Sequence, residues 1–257
     1  MPRFKFPIGV KIFVAIWLVV LVVPPLHELF VVNRILDGYL PGVRADARAL
    51  ERRFPNDPKV LALTVESRYA EDGAALGEKQ VMQRCLDNYD ALIKRFPREN
   101  WLRAERLIFL ARYPVNMDYE GAAKRSTVRY VDAPILRQAL TVTRDGEKLD
   151  PGNAFFPWIE ATLHFGLVEN DLGVAALQKA ARCERFEDYV QERNNQKLEV
   201  YSRDHTLLFE EKLAINTSIL LPHYSQMDNA QKAALQVALD ARRAGKSKRA
   251  LEVTDAI

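Results

Sequence analysis

His205, Glu210 and Glu211 form the tightest group of side chains in this sequence that could do chemistry. An imidazole and two nearby carboxylates on one helical face could serve acid–base or metal chemistry. A metal site wants a third ligand at a defined spacing, and none follows. The other histidines, His27, His164 and His223, are scattered. His164 falls inside a helical pattern, where a histidine satisfied by its neighbours is the plainer reading. Gly245-Lys246-Ser247 matches the end of a phosphate-binding loop, but Asp240 stands where the first glycine belongs and no strand precedes it. GxSxG, HExxH and GxGxxG do not occur. Cys85 and Cys183 form no CxxC, and each falls at an apolar position of a helical pattern, as a small buried thiol would. Asn216-Thr217-Ser218 is a glycosylation sequon inside a helical pattern. These patterns predict no enzyme, no cofactor and no bound metal.

A binding surface needs no reactive group. Phe155, Phe156, Trp158 and Phe165 crowd one segment. A helix with one inward stripe would bury Phe155, Trp158, Thr162 and Gly166. Phe156 and Phe165 fall beside that stripe, so they are the expected partner contacts, while Trp158 is expected in the core.

The elements that carry these residues are helices, and one of them is written twice. Ala49, Leu50, Arg53, Phe54 and Pro55 recur without a gap as Ala91, Leu92, Arg95, Phe96 and Pro97. A period near 40 residues, closed by proline, marks stacked helix pairs, because one helix cannot bury its apolar stripe alone. From Lys79 to Phe96, the residues Met82, Cys85, Leu86, Tyr89, Ile93 and Phe96 trace one face. Trp101, Leu102, Ile108 and Leu110 start another pattern, and Val60, Leu61, Leu63 and Tyr69 follow the first Phe-Pro in the same way. Turns are predicted near 71–77, 97–100, 150–153, 169–173 and 245.

In Lys148–Cys183, Leu149-Asp150-Pro151-Gly152-Asn153 precedes a helix with Trp158 near its start and Gly166 eight residues later. An alanine-rich helix with Ala176, Ala180 and Cys183 follows. This segment resembles a tetratricopeptide repeat, in which small residues let two helices approach closely and a proline closes each unit. The resemblance covers roughly residues 45–183, and the spacing between units drifts from about 42 to about 53. It implies an all-α solenoid whose concave face holds other proteins. Residues 114–133 are long for a helix–helix link. Residues 184–227 read as an insertion with one long polar helix, a second over 205–221 and a break at Pro222. Residues 228–257 read as a helix pair packed through Ala230, Ala233, Ala234, Val237, Ala238 and Ala241, ending abruptly, as in a chain that is truncated or completed by a partner.

Before the repeats, Ile12–Leu26 has no charged or strongly polar residue, and extension to Val32 gives a stretch of spanning length. No small-x-small cleavage site follows, so an uncleaved anchor is favoured over a cleaved signal peptide or a buried helix of a soluble domain. The expected organisation is a basic flank at 1–11, a transmembrane helix at 12–32, a linker at 33–48, repeats at 49–183, the insertion at 184–227 and the closing pair at 228–257. Arg3, Lys5 and Lys11 favour a cytoplasmic N-terminus, which places a single-pass protein in the cell membrane with its helical region outside the cytoplasm. A net charge of +3 without a dense basic stripe argues against nucleic acid. The expected function is a membrane-anchored scaffold for protein–protein interaction, its partners being other proteins and, through the N-terminal segment, the lipid bilayer. Alternatives are a structural subunit of a membrane complex, or an enzyme or accessory subunit with a site in 184–227.

Overall fold

The computed structural model describes residues 47–72, 77–113, 131–217 and 221–256. These form eleven helices: α1 (Ala47–Arg53), α2 (Pro58–Asp72), α3 (Glu78–Arg95), α4 (Asn100–Leu110), α5 (Ala133–Leu149), α6 (Phe155–Gly166), α7 (Asn170–Ala180), α8 (Val190–Ser202), α9 (Phe209–Thr217), α10 (Pro222–Arg243) and α11 (Ser247–Thr254). Among the described residues the chain is all-α; its one β-type pairing is an isolated bridge between Asn153 and Arg185. No described helix is long and apolar enough to cross a membrane, and the apolar segment 12–32 lies outside the described residues.

From α1 to α7 each helix packs on the next. The duplicated phrase builds the same joint twice. The Phe54 amide donates to the Leu50 carbonyl as α1 ends, and Phe96 does the same to Leu92 as α3 ends. The Asp57 amide then bonds Phe54, and the Glu99 amide bonds Phe96, before α2 and α4 begin. Arg53 lies over the Phe54 ring at 5.4 Å and Arg95 over Phe96 at 5.2 Å. The two joints also touch, because Arg95 donates to the Pro55 carbonyl at 3.0 Å and to Asn56 Oδ1.

The predicted stripe of α3 is the buried one: Met82, Cys85, Leu86 and Tyr89 are enclosed, with Ile93 and Phe96 packed at its edge. Glu78 in its first turn and Lys94 and Arg95 in its last complement the helix dipole. α5 starts on Asp132, whose side chain accepts from the Ile135 amide, with a proline in its first turn.

Three predicted turns fall where helices change over, at the α3/α4, α5/α6 and α10/α11 junctions, and most of the turn predicted at 71–77 lies outside the described residues. The α10/α11 turn uses Gly245 at φ +74°, a left-handed value that suits glycine. The fifth prediction, 169–173, is displaced. The turn occupies 167–169, with Val168 at φ 61°, and Gly173 is inside α7. A Cβ on Gly173 would sit 2.9 Å from the Phe165 ring, so this glycine serves close approach rather than a turn. Pro222 is likewise not a break but the first residue of α10, where its missing N–H costs nothing. The C-terminal pair therefore begins at 222, not 228. Cys85 is buried as expected, whereas Cys183 lies beyond the end of α7 and is half-buried; both are free thiols.

The segment after α7 folds back over the array. α8 packs on α2, and α10 packs on α4, α6 and α7. Val200 of α8 joins Leu50, Val60 and Leu63 in a small core of its own. Arg203 reaches the first Phe-Pro joint, with its guanidinium 2.5 Å from Asp57 and 5.4 Å from the centre of the Phe54 ring. Arg193 of α8 pairs with Glu105 of α4 at 2.7 Å, with both side chains more than nine-tenths buried. Gln226 of α10 donates to the Ala111 and Tyr113 carbonyls at the end of α4.

The loop between α7 and α8 is latched by Asn153. Its Oδ1 accepts from the amides of Phe155 (3.0 Å) and Glu187 (2.9 Å), and its Nδ2 donates to the Glu187 carbonyl (2.8 Å). Asp150 adds bonds from Arg185 and the Tyr189 hydroxyl, the latter at 2.7 Å. Burial pushes the Asp150 carboxyl up, but bonds from Tyr189, Asn153 and Arg185 bring it below its usual value. The Tyr189 hydroxyl is pushed up to about 12 by burial and by its bond to Asp150. Tyr189 holds φ 62°, a left-handed value, within this set of bonds.

Candidate interaction surface

Phe155 is buried as expected, but Phe156, Trp158 and Phe165 are arranged opposite to the sequence expectation. Phe156 and Phe165 are 0 % and 1 % exposed, whereas Trp158 is only partly buried at the edge of the core. Phe156 packs edge-on against Phe155 at 5.2 Å and over Gly146 of α5, where a Cβ would come within 2.3 Å of its ring. Phe165 covers Gly173 of α7. The correction has a plain cause. α6 touches α5, α7 and α10, so it is enclosed on three sides and has no single inward stripe. Phe156 and Phe165 are therefore core residues, not partner contacts.

His205 and Glu211 do meet. Nε2 of His205 lies 2.9 Å from Glu211 Oε1, and Glu211 Oε2 accepts from the Leu208 amide at 2.9 Å. The carboxylate thus satisfies a free N–H at the start of α9, as a capping residue does. The Leu208 amide and then His205 hold Glu211 below the usual carboxylate range, and Glu211 raises His205. Of Glu210 only the backbone, within α9, is described. Among the described residues no three His, Cys, Asp or Glu side chains are placed to hold a metal ion. Gly245 and Lys246 lie in the turn between two helices and Ser247 begins α11, so this is not a loop after a strand.

His164 lies in a charged cluster at the α5–α6–α7 contact. Its Nδ1 is 2.7 Å from Glu169 Oε2, and its Nε2 is 3.7 Å from Glu160 Oε1. Arg144 donates to Glu160 at 2.8 Å, and Arg137 pairs with Glu169 at 3.2 Å. The nearby His164 and the bond from Arg144 hold the Glu160 carboxyl down at about 2 in spite of burial. Burial alone would lower His164, but Glu160 and Glu169 together raise it. Every partner in this cluster belongs to the chain itself, which makes it a bolt between helices. His223 is also buried, with Nε2 3.1 Å from Asp188.

An open apolar groove lies at α10 and α11. Leu235, Ala238, Leu239 and Arg242 fall at i, i+3, i+4 and i+7 on α10, and Ser247, Ala250, Leu251 and Thr254 repeat that spacing on α11. Both stripes face one groove of about 320 Å³. Its floor is small, with Ala238 buried, and its walls are leucines: Leu235 is 45 % exposed, Leu239 46 % and Leu251 64 %. Ala234 of α10, Val253 of α11 and Ala256 after it are buried in the main core instead. The alanine stripe of α10 hid this face in the sequence. A second stripe beside it, with leucines at i and i+4, was the signal that could have shown it.

No protein-family model, curated protein or solved structure matches the chain.

Proposed function

We propose that this chain is a membrane-anchored scaffold of tetratricopeptide-like helix pairs that holds other proteins, with the segment 12–32 as a single-pass tether and the helical region outside the cytoplasm. The doubled Phe-Pro joint supports the repeat reading, because equivalent residues make equivalent bonds and the second joint contacts the first. The observation that carries the scaffold reading is the α10–α11 groove, where three leucines stand exposed around an alanine floor. Apolar surface of this kind, gathered in one place, marks a contact site for another molecule. The face formed by α2, α4 and α6, where the repeat resemblance would seat a partner, is occupied by α8 and α10 of the same chain. Partner binding in this reading belongs to the end of the array.

The test is isolation of the full-length chain from gently solubilised membranes, with quantitation of the proteins that stay with it. The scaffold reading expects at least one protein in fixed proportion. A chain recovered alone, at every solubilisation condition that keeps it folded, contradicts it.

A further inference from the structure

We infer that the α10–α11 groove takes an amphipathic α-helix from a partner protein, one with leucine-like anchors on one face and acidic residues at one end. This deepens the scaffold reading and rests on it. The shape argues for a helix. Two stripes of i, i+3, i+4, i+7 spacing flank an alanine floor, the arrangement that lets a third helix lie between two others. The charge argues for acid. Arg242 and Ser247 line the groove, and the exposed Lys246 and Lys248 flank Ser247 in the chain, next to the Gly245 turn. Among the described residues these three cations have no ion-pair partner, whereas neighbouring Arg243 is tied to Asp240 and Arg249 to Asp171. An acidic segment at that end would neutralise them, and the potential would fix the direction in which the helix lies. The leucines line a concavity rather than a projecting face, which suits a helix better than a bilayer surface.

The experiment is a selection of displayed helical peptides on the full-length chain in nanodiscs, with counter-selection on Leu239→Glu. Selected peptides are expected to carry apolar residues at i, i+3 or i+4, and i+7, with Asp or Glu beyond one end. They should bind Leu239→Glu about ten-fold more weakly or worse. A second variant, Arg242→Glu with Lys246→Glu and Lys248→Glu, should reverse the preferred end charge while leaving the thermal midpoint near that of the parent. The proposal is overturned by selected peptides without the acidic end, or by no enrichment over the counter-selected pool. It is also overturned if sedimentation shows a dimer of the chain that Leu239→Glu dissociates, because the occupant is then a second copy. Competition that appears only in nanodiscs of anionic lipid overturns it too, because the groove then lies on the bilayer. The two readings fail separately. If the chain and its Leu239→Glu variant retain the same membrane partners equally, the scaffold stands and the groove proposal falls. If peptides bind as described but no partner accompanies the chain from membranes, the scaffold reading falls.

Discussion

Phe156 and Phe165 show how far one residue's environment departs from its position in a stripe. Helical periodicity assigns a face, but which faces are covered depends on how many neighbours the helix has, and α6 has three. Truncating Phe156 or Phe165 to alanine should cost about 3–5 kcal/mol in denaturant unfolding, as for large core aromatics. Trp158→Ala should cost less than either, because its side chain is only partly buried. A Phe156→Ala protein within about 0.5 kcal/mol of the parent would place that ring at the surface.

The His164 cluster gives a prediction in pH. Glu160 is held at about 2 against an ordinary 4.5, so the folded state binds fewer protons than the unfolded state between those values. Its contribution, on the order of 3 kcal/mol, is present above 4.5 and is lost as pH falls through about 2. His164 has the opposite sign. Its folded value is raised, so its contribution is complete below 6.5 and is lost as pH rises through the folded value. Urea unfolding from pH 5 to pH 2 should therefore fall more steeply for the parent than for Glu160→Gln. Parallel profiles would remove Glu160 from the account.

At the scale of elements, the sequence carried what depends on neighbours in the chain. The α3 stripe, three of the turns and the doubled joint all follow from local spacing and from proline and glycine. The joint is legible because Arg, Phe and Pro act together, the arginine over the ring and the proline after the stop. The fold-back of α8 and α10 was not legible, because its contacts join residues far apart in the chain, such as Arg193 with Glu105 and Arg203 with Asp57. A polar run such as Val190–Ser202 reads as solvated until its partners are known. The buried Arg193–Glu105 pair tests this docking. Arg193→Met alone should cost about 3–5 kcal/mol, since it removes the paired cation from a buried carboxylate, whereas Arg193→Met with Glu105→Met should recover much of the loss. Equal stability of parent and single variant would mean that α8 is not seated on α4.

For the whole molecule, the tether and the scaffold are separable claims. If the segment 12–32 spans the bilayer, the intact chain should stay with membranes through high-salt and alkaline washes, and release by salt alone would show that it does not span. The groove at α10 and α11 was half legible: Leu235 and Leu239 stand i, i+4 in the sequence, but only the packing of α11 shows that they remain uncovered. In the scaffold reading the helical region itself holds the partner, and the N-terminal segment only tethers it. Deleting residues 1–33 and measuring partner retention in solution tests this most directly. The shortened chain is expected to retain the partner found with the full-length protein, at comparable affinity. Loss of the partner from a shortened chain that remains folded would contradict the claim and make the apolar segment a packing element of a membrane complex.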